Sequence, residues 1–154
     1  MDTLVDTRTV RLTRLFDAPR ERVFAAWTEA RQFMAWMCPP GCGLDRCELD
    51  ARPGGAWRVK GCNEKGARFA TSGVYLEVKR PELLVFTWAH HVSEDWSVPR
   101  GHETTVRLEF RAIGRTTELT LTHGPFADEP SLHNHNAGWQ GSFDKLAAFV
   151  GSPA

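Results

Sequence analysis

Residues 128–150 read DEPSLHNHNAGWQGSFDKLAAFV, and their spacing decides the fold. Leu132, His135, Trp139, Phe143, Leu146 and Val150 recur at steps of three and four, which puts them on one face of a long helix. Asp128, Glu129 and Pro130 open that helix, because acidic groups and proline both suit a helix N-terminus. Asn134, Gln140, Asp144 and Lys145 take the opposite face. A long helix with one apolar stripe needs a surface to lie against.

That surface is written upstream, in residues 44–124, as short strands broken by turn signals. Strands are predicted over 44–51, 56–62, 67–78, 83–90, 103–111 and 116–123, separated by RPGG at 52–55, NEKG at 63–66, KRPE at 79–82, a polar loop at 91–101 and IGRT at 113–116. In 103–111, Val106, Leu108 and Phe110 alternate with Arg107, Glu109 and Arg111, as a half-buried strand requires. LLVFTW at 83–88 is apolar on both phases and belongs in the middle of a sheet. Before this block, residues 8–16 form another strand with Val10, Leu12 and Phe16 in phase. Pro19 and Glu21 then start a short helix carrying Val23 and Trp27, and Thr28 caps a second one carrying Phe33, Met34, Trp36 and Met37. The expected architecture is α+β: a curved antiparallel sheet of about seven strands wrapped around a long C-terminal helix, with two short helices after the first strand. One domain, 1–154 with its core at 8–150, fits this length.

Composition narrows the function. The 154 residues are 42% apolar and 25% charged, with 19 basic and 19 acidic side chains. Zero net charge lacks the electrostatic footprint of a nucleic-acid or anionic-membrane binder. No apolar run reaches the ~18 residues of a membrane span, and MDTLVDTRTV does not read as a signal peptide, so a cytoplasmic location is expected. Cys38, Cys42, Cys47 and Cys62 are accordingly expected as free thiols, with metal binding and a disulfide as lesser alternatives. Their C-x3-C-x4-C-x14-C spacing lacks the paired C-x2-C knuckles of structural zinc sites.

Other chemistry is equally sparse. His90 and His91 are adjacent and point to opposite faces of a strand, while His133 and His135 are two apart on a helix. H-E-T-T-V at 102–106 fails the zinc-protease pattern at its last position, and neither a nucleophile elbow nor a phosphate loop is present. No metal, cofactor or catalytic residue is assigned, although a cysteine–histidine pair stays open.

The order of elements resembles the helix-grip fold of the START-like (SRPBCC) superfamily, and within it the homologues of the activators of the heat-shock-protein-ninety ATPase. The resemblance runs over about 8–150. It rests on RLFDAPRERVFAAW at 14–27, Trp36, ELDARPGG at 48–55, GVYLEV at 73–78, LVFTW at 84–88, TELTLTH at 117–123 and Gly138-Trp139. It implies the fold strongly and the activity weakly, because superfamily members bind lipids, hormones or polyketides, catalyse, or dock to proteins.

A sheet gripping one helix leaves a wedge, and an unfilled wedge is a pocket. A small apolar or amphipathic ligand there would meet Trp36, Trp57, Trp88, Phe110, His135, Trp139 and Phe143. Gly138, beside Trp139, would make room for it. The alternatives are a protein-interaction module acting on a chaperone or other ATPase, with exposed Trp96 beside Ser93, Glu94 and Asp95 as anchor, and an enzyme (hydrolase, cyclase or dehydratase) using pocket histidines. A second copy of the chain stays open as a partner. Arg14 shares the inward phase of the first strand, and a partly buried pair with Glu77 is expected.

Overall fold

The computed structural model describes residues 8–38, 40–93, 96 and 100–151. Its elements run β1 (Val10–Phe16), α1 (Arg20–Thr28), α2 (Ala30–Trp36), β2 (Gly43–Leu49), β3 (Ala56–Cys62), β4 (Arg68–Lys79), β5 (Leu83–His90), β6 (Thr104–Ile113), β7 (Thr116–Gly124) and α3 (Glu129–Gly151). The strands form one antiparallel sheet in the order β1-β7-β6-β5-β4-β3-β2. β5 is central, which explains its apolar run. Leu84, Phe86 and Trp88 join the core cluster, and Val85 and Ala89 are buried in the alternate phase.

Consecutive strands β1 and β2 lie at opposite edges of the sheet, so the chain between them has to cross it. α1 and α2 make that crossing, and their Phe24, Trp27, Phe33 and Trp36 join Phe143 and Leu146 of α3 in one core. Thr28, expected as the cap of α2, instead ends α1 and donates its hydroxyl to the Phe24 carbonyl at 3.1 Å. Register shifts between Leu44 and Arg46 and between Tyr75 and Glu77 mark bulges, which strengthen the curl of a sheet.

Two local devices hold α3 and the concave face. Arg22 of α1 donates to the carbonyls of Val150 (2.8 Å) and Phe149 (2.9 Å), satisfying the otherwise unpaired end of α3. Gly73 faces Trp57 across β3 and β4, where a Cβ would collide with the Trp57 indole nitrogen and the Thr87 carbonyl. Its missing side chain lets the Trp57 N–H reach that carbonyl at 3.0 Å.

The Arg14–Glu77 pair does not form. Arg14 does face α3, but its partner is Asp144 at 2.6 Å, and Glu77 lies 3.6 Å from Lys79. β1 and β4 are separated by three strands, so α3 offers the carboxylate within reach.

Candidate functional site

A cavity of about 250 Å³ opens between the sheet and the N-terminal half of α3. Val59 of β3, Phe69 and Thr71 of β4, and Trp88 and His90 of β5 form its floor. Asn134, His135, Gly138, Trp139 and Ser142 of α3 form its roof, and Met37, Cys38, Cys42 and Leu44 form its side wall. Among the described residues no Asp, Glu, Lys or Arg lines it.

Of the residues expected to line a pocket, Trp88, His135, Trp139 and Gly138 do so. Trp36, Trp57, Phe110 and Phe143 do not line it and are packed as core, all at most 3% exposed. Trp36 donates its N–H to the Ala26 carbonyl (2.9 Å) and stacks edge-on against Trp27. Phe110 packs on Phe24, Phe143 on Phe16 and Trp27, and Trp57 on Phe86 and Trp88. α1 fills the space in front of Phe110 and Phe143, Trp36 is itself part of α2, and Trp57 packs on its neighbours within the sheet. His90 went unread as a lining residue, although it continues the inward series Leu84, Phe86, Trp88. Met37, Leu44 and Phe69 come from elements whose approach to α3 depends on the sheet's curl.

The cysteine expectation is corrected. Cys38 and Cys42 form a disulfide across the turn between α2 and β2, while Cys47 and Cys62 are free and half-buried. Burial pushes the Cys47 thiol up to about 12, so it stays protonated at neutral pH. The two cysteines that reach the cavity are bonded to each other. Neither is a thiolate nucleophile for a histidine.

Hydrogen bonds specify where the protons sit at the cavity's polar end. His135 Nδ1 lies 2.8 Å from the Ser131 carbonyl, which can only accept. Neutral His135 therefore carries its proton on Nδ1 and presents a bare Nε2. That nitrogen lies 3.1 Å from His90 Nε2, so His90 is the donor. His90 Nδ1, left as an acceptor, takes the Thr71 hydroxyl proton at 2.8 Å. Behind this pair, the Trp139 N–H donates to His123 Nδ1 (2.9 Å), and His123 Nε2–H donates to Thr104 (2.7 Å). Thr104 in turn donates to the Trp88 carbonyl (3.1 Å). The Trp88 N–H itself is buried without a hydrogen-bond partner among the described residues.

These histidines are held neutral. Burial, then the charges of His135 and His90, drives His123 well below the ordinary value. His90 keeps an exposed edge, yet the crowding of its other edge and the nearby His135 and His91 push it down to about 4. Burial also lowers His135, against an upward pull from its Ser131 bond. Phe126 stacks on both His123 and His135, with ring centroids 4.6 and 4.5 Å away. Among the described residues no group of three or more His, Cys, Asp or Glu is arranged to hold a metal ion.

Trp96 is not the exposed anchor expected from its loop. It is half-buried, donates to the Val59 carbonyl (3.1 Å) and lies under Arg58 and Lys60, 4.1 and 4.5 Å from its ring. The alternate, outward-facing side chains of β3 hold it down. Glu94 and Asp95 lie outside the described residues.

A family model described as "Activator of Hsp90 ATPase homolog 1-like protein" matches residues 17–151. The chain belongs to this family. A solved AHSA1 protein from Silicibacter pomeroyi is 32% identical, with a TM-score of 0.79, covering 91% of this chain and 95% of that one. A protein from Chromobacterium violaceum is 29% identical, with a TM-score of 0.81 over 95% and 99% of the two chains. A Mycobacterium smegmatis protein at 20% identity and TM-score 0.82, covering 97% and 94%, shares the fold. No curated protein matches the chain. The family confirms the helix-grip architecture on which the START-like resemblance rested. No helix is long and apolar enough to cross a membrane among the described residues.

Proposed function

We propose that this AHSA1-like chain binds a small, largely apolar molecule between its sheet and α3 and does not transform it. One observation carries this reading: a 250 Å³ cavity walled by Met37, Leu44, Val59, Phe69, Trp88 and Trp139. Such a concave, mostly apolar site with a few convergent polar groups is the usual form of a small-molecule pocket. The absence of catalysis is supported by the lining: among the described residues it holds no carboxylate to orient a histidine as a base, and its two cysteines are bonded to each other.

Native mass spectrometry of the purified chain, followed by thermal shift with apolar and amphipathic compounds, tests the reading. A ligand at 100 times its Kd adds about 2.7 kcal/mol of stability, several degrees for a domain of this size. The shift should disappear in Gly138→Leu, whose side chain enters the cavity. A shift that persists unchanged in that variant would place the ligand elsewhere. The family description supports a second reading, docking to an ATPase or chaperone. That reading requires a purified ATPase or chaperone to bind the chain, and to bind Gly138→Leu as tightly as the wild type.

A further inference from the structure

The cavity's polar end has an unusual valence. Every other polar contact of the two lining histidines is fixed by a neighbour: Thr71 occupies His90 Nδ1, and the Ser131 carbonyl occupies His135 Nδ1. What they offer an incoming molecule is the single bond between them, one Nε2–H donor on His90 and one bare Nε2 acceptor on His135, 3.1 Å apart. Both belong to side chains at the rim, His90 with an exposed edge and His135 half-buried, so the bond can be reached and opened.

We propose that the cavity selects an uncharged alcohol or phenol whose hydroxyl inserts into the His90–His135 hydrogen bond, accepting from His90 and donating to His135. This deepens the ligand-binding reading above and rests on it.

The alternatives fail on chemistry. A carboxylate or phosphate would find no cation among the lining residues and would face the lone pair of His135. Lys145, near the rim, donates to the Cys42 carbonyl (3.4 Å) and is not part of the lining. An ammonium group would find no carboxylate among the described residues that line it. A ketone accepts from His90 but leaves His135 Nε2 without a donor, and a buried polar group stripped of its partner is costly. A hydrocarbon gains apolar burial and nothing more. A hydroxyl both donates and accepts through one oxygen, so it bridges the two nitrogens with the smallest displacement of the rings. Water can make the same bridge, but it cannot fill the apolar space beneath. Trp88, Trp139 and Phe69 favour a flat ring as the body of the ligand, and a cavity lined by apolar groups at about 150 Å³ already takes benzene. A single substituted ring fits.

Isothermal titration at pH 7.5 with the full chain tests the inference, using four probes of similar size: 4-ethylphenol, ethylbenzene, 4-methylacetophenone and 4-ethylbenzoate. The expected order puts 4-ethylphenol about tenfold or more tighter than ethylbenzene and the ketone, with the benzoate weakest. His135→Phe should erase the phenol's advantage while ethylbenzene still binds. If that variant does not fold, Thr71→Val, which frees His90 to move its proton to Nδ1, should shrink the same advantage. Long-range nitrogen–proton NMR gives a readout without mutation. Free protein should show His135 protonated on Nδ1 and His90 on Nε2, and 4-ethylphenol, unlike ethylbenzene, should shift both Nε2 signals. Equal binding of ethylbenzene and 4-ethylphenol, or tightest binding of the benzoate, would overturn the hydroxyl inference and leave the cavity reading intact. Binding of none of the four would overturn both.

Discussion

Towards the C-terminal end of α3, Phe143 and Leu146 pack with Phe16, Trp27 and Trp36 in one core; nearer its N-terminal end, His135 and Trp139 touch His90 and Trp88 along the edge of an open cavity. Both ends carry aromatic side chains on the same helix stripe and the same concave sheet. They differ in what crosses between. α1 and α2 bring Phe24, Trp27, Phe33 and Trp36 into the wedge, whereas among the described residues Met37, Cys38, Cys42 and Leu44 form the side wall of the cavity. A pocket in this fold is therefore the part of the wedge that the crossing helices do not reach.

The largest test of the contrast is truncation at the filled end. Trp36→Ala removes a fully buried ring and the hydrogen bond to Ala26, and should cost about 3–5 kcal/mol in denaturant unfolding. A cost under about 1 kcal/mol would mean that the filled end is not close-packed.

The sequence carried the fold further than the site because the two depend on different information. Period two and period three-to-four locate every strand and helix here within a few residues, since each depends only on neighbours along the chain. Whether an inward side chain meets another depends on the path of α1 and α2 over the sheet. Trp36 and Trp139 thus have the same local signature and both are buried, yet of the two it is Trp139 that lines the cavity. The Cys38–Cys42 disulfide ranks below free thiols in the sequence because no export signal is read there, and spacing alone does not show that the turn brings the two residues to a Cα separation of 5.7 Å. Arg14 was assigned the correct face but the wrong partner, because phase gives direction and not distance.

Next in size is the buried chain of hydrogen bonds behind the cavity. His123→Leu strands the Trp139 N–H, which should cost about 1–3 kcal/mol. The same residue predicts how stability follows pH. His123, His90 and His135 all have lowered pKa values in the fold, so the unfolded chain binds more protons just below its own histidine value near 6.5. Stability is therefore fully present above that pH and is lost as pH falls from 6.5 towards the folded value, about 4 for His90. Buried His123 alone gives a slope of about 1.4 kcal/mol per pH unit in this window. Exposed Asp45 and Asp128, lowered by Arg68 and by hydrogen bonds from Ser131 respectively, act only at more acidic pH. Thermal melts from pH 7.5 to 4.5 should show the decline in the wild type and a shallower one in His123→Leu. A flat profile would contradict the neutral assignment of these rings.

Gly138→Leu sharpens the contrast from the open end. Replacing a helical glycine favours the helix by about 1 kcal/mol, and Gly138 borders the cavity that the described residues leave open. Stability should hold or rise, opposite in sign to the change at Trp36, while the ligand-dependent shift vanishes. A loss above about 2 kcal/mol would show that the N-terminal half of α3 already packs against the sheet.

The smallest effect belongs to Arg14 and Asp144, which join β1 to α3 beside the filled end. Their contact is short, 2.6 Å, but their side chains are 39% and 67% exposed, so water screens the attraction and competes for both groups. Arg14→Met keeps an apolar stem against Phe16 and should change unfolding stability by less than about 1 kcal/mol, less still at high salt. The apolar contacts of Phe143 and Leu146 already position the helix, which leaves the ion pair little to add. A loss comparable to Trp36→Ala would reverse that ranking and make the charge pair, not the aromatic packing, the anchor of α3 at its closed end.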